Sequence, residues 1–350
     1  MIDNSNELNN HDIRSSVEKF CMNLGKDRLL VQGAGGNISW KIGKVLWVKA
    51  SGTWLANAER ENIFLPVDLE HLTGALDQGD FSVSPKILDE TDLRPSIETF
   101  FHALMPQPIV VHLHSVNALS YLVQKNGLET ISKRMDDTLN YGFIDYYKPG
   151  DKLAQEIHRL LKKTPKTQIV FLKNHGIIIG GEDTKEVLEI LNSIESQYKR
   201  HPTEKVPGRT LDLNVKTMGG AEYSLIDDVN VQQLVLQTEL YERLAKSWAI
   251  SPDHVVFLGS NPAIYENIQG LEKDPEIIDP GTQRIVFVKN SGVYSTYPLD
   301  NASLAQLLCY FDVISRTSDK DPIDVLKTKE IAELLNWDME IYRQDLQTGR

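Results

Sequence analysis

Cysteine is nearly absent from this 350-residue chain, which has only Cys21 and Cys309. Two thiols so far apart exclude a disulfide framework and a cysteine-ligated zinc site. Long apolar runs are missing as well, and no stretch approaches the ~20 residues that a membrane span needs. The polar start, Met1-Ile2-Asp3-Asn4-Ser5-Asn6, has neither the basic nor the apolar segment of a secretory leader. Positive charge is in deficit: 37 Lys and Arg against 49 Asp and Glu leave a formal net charge of −12. General nucleic-acid binding needs a basic face, which this balance argues against. The absences together predict a cytoplasmic, soluble protein with neither nucleic acid nor membrane as partner.

What remains is an ordinary globular composition, 41% hydrophobic and 25% charged. The length exceeds one typical core and predicts two domains. Apolar residues at helical spacing predict helices over residues 12–30, 96–105, 152–163 and 184–198. Pro95 fits the first helical position of the second of these. Pro202, Pro207, Gly208, Gly219 and Gly220 break the pattern over residues 201–222. The division expected is a catalytic domain over 1–205, a linker over 206–216 and a second domain over 217–350. In the last segment Ile331, Leu334, Leu335, Met339 and Tyr342 predict an amphipathic helix.

The richest stretch is His112-Leu113-His114, at the end of the apolar run Ile109-Val110-Val111. Residues i and i+2 of a strand share a face, so the two imidazoles project together. A second run, Ile169-Val170-Phe171-Leu172, leads into Lys173-Asn174-His175-Gly176 and places a third imidazole at a strand end. Three neutral imidazoles and an open position form a ligand set typical of catalytic zinc. His71, His102, His158 and His254 stand singly and read as structural. Trp40, Trp47 and Trp54 read as packing.

The chain also echoes itself. Ile169–Gly176 recurs as Ile285-Val286-Phe287-Val288-Lys289-Asn290-Ser291-Gly292, with six of eight positions identical at an offset of 116 residues. A helical pattern follows each copy, over 184–198 and 302–315. Such similarity predicts a duplicated unit. His175 has become Ser291 in the second copy, and no His pair precedes it, so residues 217–350 are expected to be degenerate and without a catalytic metal.

Three further segments complete an ordered set. Gly33-Ala34-Gly35-Gly36-Asn37-Ile38-Ser39 is followed by Ala50-Ser51-Gly52-Thr53, and Arg94-Pro95-Ser96-Ile97-Glu98-Thr99 stands just ahead of the His pair. The glycine segment lacks the third glycine of a dinucleotide-binding turn and the Gly-Lys-Ser/Thr of a phosphate loop. Over roughly residues 12–200 this order of motifs resembles the class II aldolase/adducin family. That family includes zinc-dependent fuculose- and rhamnulose-phosphate aldolases, ribulose-phosphate 4-epimerases and the cytoskeletal adducins. The resemblance implies a three-layer α/β/α domain with a largely antiparallel central sheet. With the echo, it predicts a second, smaller related α/β domain.

The resemblance also implies roles. One zinc per chain at His112, His114 and His175 would polarise a substrate carbonyl and its neighbouring hydroxyl, stabilising an enediolate. Glu98 would remove the proton; the alternative is a Glu placed at a helix N-terminus for its dipole. Asn37, Ser51, Gly52 and Ser96 would bind a substrate phosphate. Ile97 replaces one hydroxyl of the family pattern. The acid for the leaving oxygen would be a tyrosine, with Tyr141, Tyr146 and Tyr147 as candidates and Tyr141 taken first. The expected activity is a metal-dependent lyase acting on a ketose phosphate or related sugar. A pentulose-phosphate 4-epimerase, a dehydratase and a non-catalytic adducin-like interaction protein are the alternatives. Self-association into a homo-oligomer is expected, because family sites sit at subunit boundaries.

Overall fold

Strict alternation along Ile109–Leu113 organises the first half of the molecule. Ile109, Val111 and Leu113 face one buried layer, while Val110 and His112 face the other. The structure, a computed structural model, describes residues 4–136, 138–207, 213–279, 283–318 and 320–335, with side chains from residue 12 onward. Its first sheet contains β1 (Asn37–Ile42), β2 (Val45–Lys49), β3 (Phe64–Asp68), β4 (Ile109–Leu113), β5 (Tyr141–Ile144), β6 (Ile169–Leu172) and β7 (Gly176–Gly181). The order is β3-β2-β1-β4-β7-β6-β5, and every neighbouring pair is antiparallel except β5 with β6.

Helices cover both faces. Asn4–Lys26, Val116–Leu122, Gly127–Ser132 and Thr184–Gln197 bury Val17, Phe20, Ala118, Ile131 and Leu191 on the Val111 side. Leu69–Asp77, Thr99–Leu104 and Asp151–Lys163 cover the other side through Leu72, Phe101 and Ile157. This is the expected three-layer arrangement, with β4 and His112 at its centre. Trp40 and Trp47 stack across the β1–β2 pair with centroids 5.6 Å apart, a packing role.

Two helix boundaries differ from their periodicity. The first helix stops at Lys26, and Asp27 takes the next turn by accepting from the Leu29 N–H at 2.9 Å. The helix expected over 96–105 begins only at Thr99. Pro95 is not its first residue; it pairs with Ala50, while the Ser96 N–H donates to the Lys49 carbonyl at 3.2 Å. Pairing with the end of β2 keeps residues 94–96 extended, and tertiary contact overrides helix periodicity.

The second sheet contains β8 (Asn214–Lys216), β9 (Glu222–Leu225), β10 (Ala263–Tyr265), β11 (Ile285–Val288) and β12 (Gly292–Ser295). Its order is β10-β11-β12-β9-β8, and only β10 with β11 is parallel. The run β5-β6-β7-β4-β1 of the first sheet has the same chain order and the same directions. The turns before β7 and β12 both put Asn at positive φ, 54° at Asn174 and 56° at Asn290. Of the segment expected as a linker, 208–212 lie outside the described residues, and Asn214–Lys216 are strand β8. The C-terminal helix is described over Thr328–Leu335, with Leu334 buried; Met339 and Tyr342 lie outside the described residues.

The two units share a core. Ala118, Tyr121 and Leu122 of the helix Val116–Leu122 pack in the first unit. Val116, Leu119 and the adjoining Val123 pack with Leu307, Tyr310 and Phe311 of the second. A helix apolar on both sides must be covered on both sides. Among the described residues no helix is long and apolar enough to cross a membrane.

Candidate metal centre

The centre of the site follows from strand parity. His112 lies opposite Asn37 on β1 and Ile178 on β7, so Asn37 and His112 share a face. His114, just past the end of β4, turns its ring toward His112 with centroids 5.0 Å apart. His175 ends the β6–β7 turn with its ring centroid 4.8 Å from that of His112. Gly176 makes this approach possible, because a Cβ there would stand 2.3 Å from the Leu113 carbonyl oxygen. One ligand atom from each of the three buried imidazoles lies within 4.8 Å of the others.

Partners decide which ring nitrogens face inward. His112 Nδ1 lies 3.0 Å from the Ile177 carbonyl, which can only accept, so Nδ1 carries the proton and Nε2 is bare. His114 Nδ1 lies 3.5 Å from the Asp253 carboxylate, leaving its Nε2 on the inner side. The two Nε2 atoms are 3.2 Å apart. With His114 protonated at Nε2 that contact is a hydrogen bond; with both nitrogens bare it is a place for a cation between two lone pairs. Bonds of ~2.0–2.1 Å at a tetrahedral ion would hold them at nearly this spacing. The residues present therefore fit a divalent metal.

Glu98 closes the cluster. It sits immediately before the helix Thr99–Leu104 rather than in its first turn, and its carboxylate makes no capping hydrogen bond. The Glu98 N–H donates to Ser96 Oγ at 3.2 Å, which fixes the turn. Asn37 Nδ2 donates to Glu98 Oε2 at 2.6 Å. Glu98 Oε1, 3.2 Å from His175 Nε2, has no hydrogen bond of normal geometry. Burial pushes the Glu98 carboxyl up, but His112, His175 and His114 together outweigh it and hold it well below the usual carboxylate range. Burial pushes His112 down to about 4 and His114 down to about 3. At neutral pH burial keeps these two imidazoles neutral, the form in which a metal takes an imidazole ligand.

A narrow cleft opens onto the cluster. It is lined by Asn37, Ser51, Gly52, Ser96, Glu98, His114 and His175, with His112 buried behind them. Ile97 lines it where the family pattern has a hydroxyl. Tyr141 is not brought there. It pairs with Ile169, at the opposite end of β6 from His175, and packs against Phe143 in the core. Tyr146 packs against the second unit and Tyr147 beneath the helix Asp151–Lys163. His102 and His254 are buried among packed side chains.

Two lining residues escape the sequence reading. Buried Lys49 donates to the carbonyls of Ala34 at 3.0 Å and Thr53 at 2.6 Å, tying the glycine loop to the Ser51–Gly52 loop. A lysine ending a strand that leads into a glycine turn is the only signal it gives. Asp253 gives none: it lies 139 residues beyond His114, in a Ser-Pro-Asp-His run that already reads as a helix start. The second unit also grips the turn before His175, where Asn174 Nδ2 donates to the carbonyls of Ile250 at 2.9 Å and Asp324 at 2.7 Å.

Residues 16–199 match the family described as the class II aldolase and adducin N-terminal domain. A Bacillus subtilis protein named as the uncharacterized oxidoreductase YuxG is 23% identical over 228 residues, 61% of this chain and 32% of that protein. The match thus spans about a third of that relative's length. An L-fuculose phosphate aldolase of Methanocaldococcus jannaschii is 25% identical over 188 residues, covering 52% of this chain and 91% of the relative. Among solved structures, the N-terminal class II aldolase domain of a Thermoplasma acidophilum protein superposes with a TM-score of 0.45 at 25% identity, over 52% of this chain and 90% of that one.

Proposed function

Because the chain belongs to the class II aldolase and adducin family, we propose that it is a metal-dependent lyase that makes or breaks a carbon–carbon bond in a ketose phosphate or related sugar. The observation that carries this reading is the convergence of His112, His114 and His175 beside the Glu98 carboxylate at the floor of a cleft. Zinc held by the three imidazoles would supply a Lewis acid for a substrate carbonyl and its neighbouring hydroxyl.

The chain's own residues do the rest. Asn37 occupies Glu98 Oε2, so Oε1 is the oxygen left to take a proton from the substrate carbon. An ionised carboxylate can accept that proton, and burial keeps water from competing for it. Ser51, Gly52 and Ser96 offer donors for an anionic substrate group, with Lys49 as the cation beside them. No tyrosine lines the cleft among the described residues, so an acid role for Tyr141 requires a neighbouring copy of the chain.

On this reading residues 1–205 carry the ligands, and 217–350, together with strand β8 from the segment expected as a linker, are a duplicate that lost them. Ser291 stands where His175 does, and Leu225, opposite Tyr294, stands where His112 lies opposite Ile178.

The test is elemental analysis of the purified chain together with a retro-aldol screen over ketose 1-phosphates and their unphosphorylated forms. About one zinc per chain and turnover of at least one ketose are expected. Glu98→Gln should lower kcat by about 10²–10⁴-fold, the range of a lost general base, while keeping its metal. Full activity in that variant would remove Glu98 from the chemistry, and a metal-free chain inert to every ketose would overturn the reading.

A further inference from the structure

We infer that Asp253, supplied by the second unit, is a positioning residue for the metal centre that holds His114 with Nδ1 protonated and Nε2 bare toward the other ligands. The inference rests on the metal reading above and extends the site to a half of the chain that carries none of the ligands.

The geometry has three parts. Asp253 Oδ2 lies 3.5 Å from His114 Nδ1, while the opposite ring nitrogen, Nε2, faces His112. Asp253 lies on the Nδ1 side of His114, opposite the Nε2 that faces His112, and reaches the cluster through that ring. Its carboxylate is itself held: Gln306 Nε2 reaches Oδ2 at 3.5 Å from the helix Asn301–Ile314. Ser251 also fixes the start of the helix Pro252–Leu258 by accepting from the His254 N–H at 3.3 Å. Finally, Gly35 leaves room for the pair, since a Cβ there would stand 3.0 Å from His114 Nδ1 and 3.1 Å from Asp253 Oδ2.

A helix start alone would explain an Asp in its first turn. It would not explain why the side chain is only 7% exposed and meets a ligand ring from the other unit. A carboxylate behind a ligand imidazole fixes its tautomer and raises its basicity. His112 obtains its tautomer from the Ile177 carbonyl inside the first unit. His114 obtains it from a residue that the ligand-bearing half does not contain.

The experiment compares the full-length chain with Asp253→Asn and Asp253→Ala. Cobalt(II) binding is followed by visible absorption against a competing chelator. Ring ¹⁵N spectra of the metal-free proteins report the His114 tautomer. Losing the acceptor should weaken cobalt binding about 10–100-fold in the Ala variant and shift His114 toward the Nε2-protonated form. The isosteric Asn variant keeps an acceptor but not the charge, so a smaller loss of several-fold is expected. It also preserves the test if the Ala variant fails to fold. Wild-type chain that binds no cobalt would sink the metal reading itself. Wild type that binds cobalt, with both variants within about twofold of it and the tautomer unchanged, would overturn this inference alone. Lost turnover on top of unchanged cobalt binding would move Asp253 from His114 to the substrate.

Discussion

At His112 and His114 the Nδ1 atoms face the Ile177 carbonyl and the Asp253 carboxylate, and the Nε2 atoms face each other, 3.2 Å apart. Glu98 lies against this pair, and Asn37 is the donor that orients it. Asn37 therefore binds the carboxylate as well as lining the cleft expected to take a phosphate. Replacing it with the near-isosteric Leu should leave a buried carboxylate oxygen without its donor. A lost hydrogen bond to a charged group costs about 1.5–3 kcal/mol. Urea unfolding of metal-free Asn37→Leu should show a stability loss of that order, and loss of activity without loss of metal. Unchanged stability would mean that Glu98 does not depend on Asn37. His112 and His114 were legible as a same-face pair because strand period is two. The proton positions on their rings were not, since each is set by a partner distant in sequence.

The β–turn–β unit with its following helix occurs twice, and only one copy ends its turn in a histidine. In β6–β7 the turn ends in His175; in β11–β12 it ends in Ser291, with Asn at positive φ before each. Asn tolerates this left-handed conformation better than most residues, which explains its presence at both turns. Restoring one imidazole should not restore a site. Ser291→His would have Leu225 in the register position of His112, and a single imidazole is a weak ligand set. Cobalt titration of that variant should give the wild-type stoichiometry of about one per chain, and a second equivalent of comparable affinity would show that the second unit kept a latent site. The echo was legible because it is local in sequence. The start of the helix at Thr99 was not, because pairing of Pro95 with Ala50 decided it.

For the molecule as a whole, the shared core means that the two units stabilise each other through Val116, Leu119 and Val123. An interface built from core side chains disfavours independent motion of its halves. Within that core His254 is buried between Trp248 and Tyr310, with ring centroids 4.4 and 4.9 Å away, and neither ring nitrogen has a hydrogen bond. Burial pushes it down to about 3. The folded state therefore refuses a proton that the unfolded chain accepts below about pH 6.5, and stability falls as pH drops from 6.5 toward 3. At pH 5 this single group should cost about 2 kcal/mol relative to pH 8. His254→Phe removes the titration while keeping the ring. Its urea stability relative to wild type should improve by about that amount between pH 8 and pH 5. An equal pH response in both proteins would place the proton elsewhere.

The sequence by itself determined whatever depends on neighbours along the chain. Strand parity paired His112 with His114, ordered motifs carried the family resemblance and its layered sheet, and the recurrence of Ile169–Gly176 anticipated a second α/β unit. Only the tertiary structure decided what spans the two units. It placed Asp253 behind His114 and the Ile250 and Asp324 carbonyls on Asn174, and it left Tyr141 at the far end of β6. The physical reason is that a carboxylate's role is set by the group it faces, and no periodicity encodes a contact across 139 residues. Such contacts arise when two apolar faces of one helix, Val116–Leu122, must both be covered and the second unit closes over the site.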